Sequence, residues 1–447
     1  MRIGRLDKNM MAALLVWIYV IEATTFYIRS NFIDNIFQLC CIVVMLFLLV
    51  ISGRLFRFTF DNFFLLYIFL LMTGWIPDLF SGNGAIGLTV MGSYALPLFM
   101  YLYVKNKYYW SEKISISLFK IPVIYGVIIS ILGIIQEAGS LLGLPFNIWL
   151  EDIGKTGNSN VAMCSLFGLP LGAYSSWGNF AGQTLLRIHG FYIEPSKMAM
   201  FLMIPIFFSW GLYKKTRRKS YRLALILCIV CFVFTMSRAG IVSIVAALVV
   251  KYFYVKKHRN VTDTVPQKTT ANDLLKLVGI PFGIVIAAVF VLFLMVQLSR
   301  LFPGLEFLYI GITDLTTGKA NLIRAETVDA PIVINRLLSR PWGFGFSNNL
   351  HGSATSILDT NMANAFILWL VTGGFLGAGI AVMIILNILL QFGIPCLKSS
   401  DPVKSGVGLA FICLTIHSLS YGTWMTPEFM LVVSLMSVIS NKTLIVE

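Results

Sequence analysis

RIHGFYIEPSKMAMF, from Arg187 to Phe201, divides the chain at a point where charge stops and apolar sequence begins. Arg187, His189 and Glu194 stand just ahead of Pro195, and the run turns apolar after it. Proline loses no hydrogen bond in the first turn of a helix, because that amide has no partner there. The stretch therefore predicts a helix opening at Pro195, with a guanidinium, an imidazole and a carboxylate held at its mouth.

Working outward, apolar runs of about 17 to 25 residues recur to both sides, each long enough to cross about 30 Å of hydrocarbon. Of 447 residues, 57% are hydrophobic and 12% are charged, where a soluble domain carries about 25% charged residues. Strands of about ten alternating residues, the mark of a membrane barrel, do not occur. The fold class is an all-α polytopic membrane protein with about twelve transmembrane helices. Spans are expected near residues 10–28, 33–52, 62–79, 85–104, 116–136, 195–213, 223–236, 239–255, 277–298, 365–392, 407–421 and 427–440. The first run has no small-residue cleavage site and reads as a retained anchor. The whole, 1–447, forms a single membrane domain with two long loops, 137–194 and 299–364.

The net charge of +14 invites a nucleic-acid reading that its distribution excludes. Basic residues cluster in short loops, as in KKTRRK and KYFYVKKHR, which read as topology anchors. With the amino terminus inside, most of the 34 Lys and Arg fall on the inner side. Both termini are then inside and both long loops outside. Of the seven cysteines only Cys164 falls in a long loop, so no disulfide framework is expected. Cys228 and Cys231 form a CxxC within an apolar run, without the water-exposed setting a redox or zinc site needs.

Chemistry is therefore sought in the outer loops. Arg187, Arg238, Arg300, Lys319, Arg324, Arg336 and Arg340 lie outside, against the topology rule, and some are ordinary solvated charges. In SRAG, Ser237–Gly240, Arg238 sits in a tight turn between two short apolar runs. Arginine at such depth faces a polar cavity or a partner, or snorkels to headgroup phosphates. In GKANLIRAETVDAPIVINRLLSRPWGFGFS, residues 318–347, the apolar spacing predicts an amphipathic surface helix carrying Arg324 and Arg336, broken by Pro341, Gly343 and Gly345. Solvated arginines on a loop helix are the plainer reading there.

His189 and His351 lie outside, where an imidazole serves as a base near neutral pH; His258 is inside and His417 within a span. Acids are scattered, and none has divalent-metal spacing. Gly373 and Gly377 form a GxxxG that reads as helix packing. Arginines without a metal suit a phosphate, which guanidinium grips bidentately. Converging at the membrane edge, they suit a lipid-linked pyrophosphate leaving group, with a base to take the acceptor's proton. The catalytic candidates are Arg187, Arg238, Glu194 and His351. The substrate-binding candidates are Arg324, His189, Arg336 and Arg340. No metal and no cofactor is expected.

At these residues the chain resembles the O-antigen polymerase and ligase superfamily of bacterial membrane glycosyltransferases. The matching pieces are R-x-x-G-F before a proline in RIHGFYIEP, the SRAG turn, and GKANLIRAETV leading to SRPWGFGF, in that order. The resemblance implies a type-C glycosyltransferase-like fold in the inner membrane, with periplasmic outer loops. It implies an undecaprenyl-pyrophosphate-linked oligosaccharide as substrate, no nucleic acid, and a chain-length regulator as a possible partner. By motif match Arg187 and Arg238 contact the donor pyrophosphate, with Arg324 as a third contact. Trp149, Trp177 and Trp342 suit sugar binding. Ligases of this superfamily carry a histidine beside an asparagine before the helix after the second loop. Here that stretch is DTNMANAFILWL, with Asn361 and Asn364 and no histidine, which favours a polymerase and leaves its base among Glu194, His351 and Asp359. The alternatives are a ligase acting on lipid A core and a lipid-linked oligosaccharide transporter. A transporter calls for ionisable groups at mid-bilayer and related halves, and neither is visible.

Overall fold

The computed structural model describes residues 61–108, 113–142, 161–166, 169–180, 183–190, 192, 195–258, 337–347, 365–419 and 426–445, with Cys40, Val43 and Phe47. Its helices, numbered along the chain, are α1 Asn62–Phe80, α2 Gly84–Ser93, α3 Ala95–Tyr108, α4 Ser117–Leu142, α5 Pro195–Thr216, α6 Lys219–Phe234, α7 Arg238–His258, α8 Ala365–Ile388, α9 Ile394–Lys398, α10 Pro402–His417 and α11 Pro427–Ile439. Its strands are β1 Lys113–Ser115, β2 Val161–Leu166, β3 Leu169–Phe180, β4 Gln183–Leu186 and β5 Thr443–Ile445.

Capping chemistry sets several starts. The Asp61 carboxylate accepts from the Phe64 amide at 3.0 Å to open α1, and Asp401 accepts from Val403 at 2.9 Å to open α10. Proline occupies the first position of α5, α10 and α11, where its missing amide costs nothing. By length and composition, Asn62–Phe80, Ser117–Ala138, Pro195–Thr216 and Leu368–Lys398 can each cross a membrane. The helices α2 and α3 pass only as a pair bent by 43°. The bend falls where Pro97 has no amide to offer the Ser93 carbonyl. The helices α10 and α11 are apolar but shorter. The expected spans at 10–28 and 277–298, and 33–52 apart from three residues, lie outside the described residues.

The expectation of helices gains an addition. In the first long loop, β2 to β4 form an antiparallel meander that pairs Val161 with Ser176 and Trp177 with Leu186. A meander lets neighbouring stretches of chain pair their backbone groups locally. Helix α4 also continues to Leu142, past its expected end at 136.

The helix α5 is the core of the described body and packs on α4, α6 and α10. A Cβ at Gly126 would lie 2.5 Å from Pro205, and one at Gly211 would lie 2.7 Å from the Pro402 carbonyl. Helices α4 and α10 therefore meet α5 at backbone distance. Lipid tails are as apolar as the core, so such close packing is what holds membrane helices together. Gly373 and Gly377 both abut Thr73 of α1, so the GxxxG packs α8 on α1.

One end of the bundle is tied by charge. Lys105 pairs with Asp61 at 2.6 Å, and Lys215 with Asp401 at 2.5 Å. Lys215 also reaches the Leu444 carbonyl at 2.9 Å, and Lys404 the Ser440 carbonyl at 3.2 Å. Strands β1 and β5 run parallel there, Lys113 beside Thr443.

The other end of α1 and α8 carries a thread. At Gly374, φ 64° and ψ −160° break α8. The freed Val371 and Thr372 carbonyls accept from the amides of Phe344 at 2.8 Å and Gly345 at 2.9 Å, and Phe375 donates back to Pro341 at 3.0 Å. Asp78, buried in α1, accepts from the Phe346 amide at 2.8 Å and the Ser347 amide at 3.1 Å, and from the Ser347 hydroxyl. Irregular backbone at membrane depth survives only where its polar groups are met inside the protein, and here WGFGFS is stitched to two helices.

Candidate functional site

The sequence motifs around Arg187 and Arg238 meet at one place, the turn between α6 and α7. Helix α6 ends at Phe234, and the Thr235 hydroxyl turns back to the Phe232 carbonyl at 2.6 Å. Met236 takes a left-handed conformation, φ 48°, which reverses the chain. Ser237 then caps α7, its hydroxyl accepting from the Gly240 amide at 3.3 Å. Gly240 lets the two helices approach there, because a Cβ would lie 2.8 Å from the Phe232 ring and push it aside. SRAG thus encodes a cap, a first helical residue and a close approach. Arg238 is exposed and opens α7, adding its charge to the positive end of the helix dipole.

The segment after β4 lies along this turn. The Ile188 amide donates to the Phe234 carbonyl at 3.3 Å, and Arg187 Nε donates to the Thr235 carbonyl at 3.0 Å. That bond fixes the direction of a half-buried guanidinium three residues from Arg238. The Arg187 guanidinium and the turn that opens α7 at Arg238 therefore meet at one place, and a helix amino terminus with arginine beside it suits an anion.

His189 is fully buried and explains how the segment is held. Its Nδ1 lies 2.8 Å from the Tyr192 carbonyl. A carbonyl only accepts, so Nδ1 carries the proton. Nε2 is then the acceptor, facing Gln136 Nε2 at 2.9 Å. Gln136 Oε1 accepts from the amides of His189 and Gly190, both at 3.2 Å. Burial pulls the imidazole pKa down to about 4, against the opposing pull of its bonds to Tyr192 and Gly190. With both nitrogens engaged, His189 is a neutral clasp between α4 and the arginine segment.

The remaining candidates fall elsewhere. Arg340 is exposed at the start of the WGFGFS thread, its guanidinium 5.9 Å from the Phe344 ring, beside α1 and α8 rather than at the α6–α7 turn. Trp342 on that thread is 58% exposed, open enough to stack on a sugar. Trp177 lies on β3. Glu194, Arg324, Arg336, His351, Asp359 and Trp149 lie outside the described residues. Among the described residues no three His, Cys, Asp or Glu gather as a metal site. Cys228 and Cys231 are buried, each near a glycine of α4.

Three residues of the described part were missed in the sequence. Gln136 and Glu137 read as the end of a span, and only the apolar EAGSLL continuation hinted at more helix. Asp78 closes the run WIPD and gave one signal, a carboxylate at the rim of an apolar span. No family model matches the chain, and no curated protein does.

Proposed function

We propose that this chain is a membrane glycosyltransferase of the O-antigen polymerase type. It transfers an undecaprenyl-pyrophosphate-linked glycan onto the next lipid-linked repeat unit, at the periplasmic face of a bacterial inner membrane. The observation that carries this is the fixing of Arg187 on the Thr235 carbonyl, beside the helix opened by Arg238. The sequence motifs RIHGFYIEP and SRAG support the same reading. In it, the two guanidinium groups grip the donor pyrophosphate. As the bond from the anomeric carbon to the phosphate oxygen breaks, they stabilise the charge left behind. Lysine could not replace Arg187, since one ammonium cannot hold a carbonyl and a phosphate in one plane.

The test is the polysaccharide ladder. Arg187→Ala and Arg238→Ala should each reduce long chains to single repeat units on the core at unchanged protein level. Loss of one preorganised donor costs about 10²–10³ in turnover. Normal ladders from both variants would overturn the assignment. Deletion of the protein should leave one rung; an empty core with lipid-linked polymer retained would mean a ligase.

A further inference from the structure

A glycosyl acceptor must lose a proton, and the described site supplies a group for it that lies outside the motifs. Glu137 is 4% exposed, and neither carboxylate oxygen has a hydrogen-bond partner among the described residues. Leaving a carboxylate buried and unmet is costly, and such a group at the edge of a site is a functional candidate.

Its position follows from helix register. On α4, Gly126 abuts Pro205 and Gly133 abuts Met198 and Ile188. Both contacts keep one antiparallel register between α4 and α5. Glu137 is one turn beyond Gly133 on the same face. The register carries it to the mouth of α5, level with the turn after α6 where Arg187 is tied. Its neighbour Gln136 binds the backbone of His189 and Gly190 directly. The end of α4 therefore supplies two adjacent side chains, one that clasps the arginine segment and one that is buried with no hydrogen bond among the described residues.

We infer that Glu137 is the general base of the transfer, a reading that rests on the function proposed above. The acceptor hydroxyl oxygen attacks the anomeric carbon of the donor. The bond from that carbon to the pyrophosphate oxygen breaks, and its electron pair leaves on the phosphate held by Arg187 and Arg238. The hydroxyl proton passes to a Glu137 carboxylate oxygen. His189 is excluded from this task, since both its nitrogens are engaged.

The experiment uses the full chain in lipid nanodiscs with a lipid-linked repeat unit, and farnesyl pyrophosphate as a separate donor-head probe read by thermal protection. Glu137→Gln should lose at least about 100-fold in turnover, with probe protection within about twofold of the wild type. Glu137→Asp should recover part of the turnover. Arg187→Ala should lose turnover and probe protection together. Wild-type turnover in Glu137→Gln, beside an inactive Arg187→Ala, would overturn the base and leave the polymerase reading standing. Loss of both turnover and protection in Glu137→Gln would make it a structural residue and overturn the base as well. A wild-type chain that extends no repeat units would overturn the polymerase reading, and the base with it.

Discussion

At the scale of single residues, His189 gives the clearest prediction. Its folded pKa, about 4, lies below the ordinary value near 6.5. Between those values the unfolded chain takes up a proton that the folded chain refuses. The stability is therefore complete above pH 6.5 and is lost as pH falls toward 4. From pH 6.5 to 5 the loss is about 2 kcal/mol. Thermal stability in detergent should fall less steeply with acid in His189→Asn, which offers no site to protonate there, than in the wild type. An equal acid slope in both would refute the neutral clasp. The sequence made His189 conspicuous but not its role, because a polar residue before a helix reads alike whether it faces a ligand or a neighbouring amide. Its partner Gln136 was illegible for a related reason: an amide that ends an apolar run resembles the margin of a span.

At the scale of elements, α8 shows how a helix is broken on purpose. Gly374 sits at φ 64°, and a Cβ there would strike the Pro341 carbonyl and the Trp342 backbone. Gly374→Ala should cost about 3 kcal/mol or more, read as lost folded yield in detergent. Gly379→Ala in the same helix has open space around it and should be neutral or stabilising by up to about 1 kcal/mol. Equal behaviour of the two would show that the break does not matter. The starts of α5 and α11 were legible because a proline marks each, whereas α10 opens at Pro402, ahead of its expected start at 407. The turn at Pro341–Gly345 was legible as a break. What it breaks into was not, since the bonds depend on carbonyls that only the α8 distortion frees. The β2–β4 meander was hidden too, in polar sequence without a clear alternation.

At the scale of the molecule, the paired charges place the starts of α1, α4 and α10 and the ends of α3, α5 and α11 at one end of the bundle. Arg340 and the WGFGFS thread stand at the far end of α1. If the chain spans the membrane as its basic residues direct, these ends face opposite compartments. In a chain with its native cysteines replaced, Lys398→Cys and Asn441→Cys should react with an impermeant maleimide from the cytoplasmic side only. Arg340→Cys should react from the periplasmic side only. Labelling of all three from one side would overturn the orientation. The alternation of ends was legible from charge alone, while the ties that enforce it were not, because they join residues as far apart as Lys215 and Leu444.

The seat of Asp78 has a consequence for how the protein is made. Its amide partner at Phe346 is 268 positions later, which a ribosome adding about 5–20 residues per second reaches on the order of half a minute afterwards. Through that interval the carboxylate lacks the amides that meet it in the finished fold, so the seat at the end of α1 closes only once Ser347 has been made. A nascent chain stopped short of Phe346 never gains these bonds.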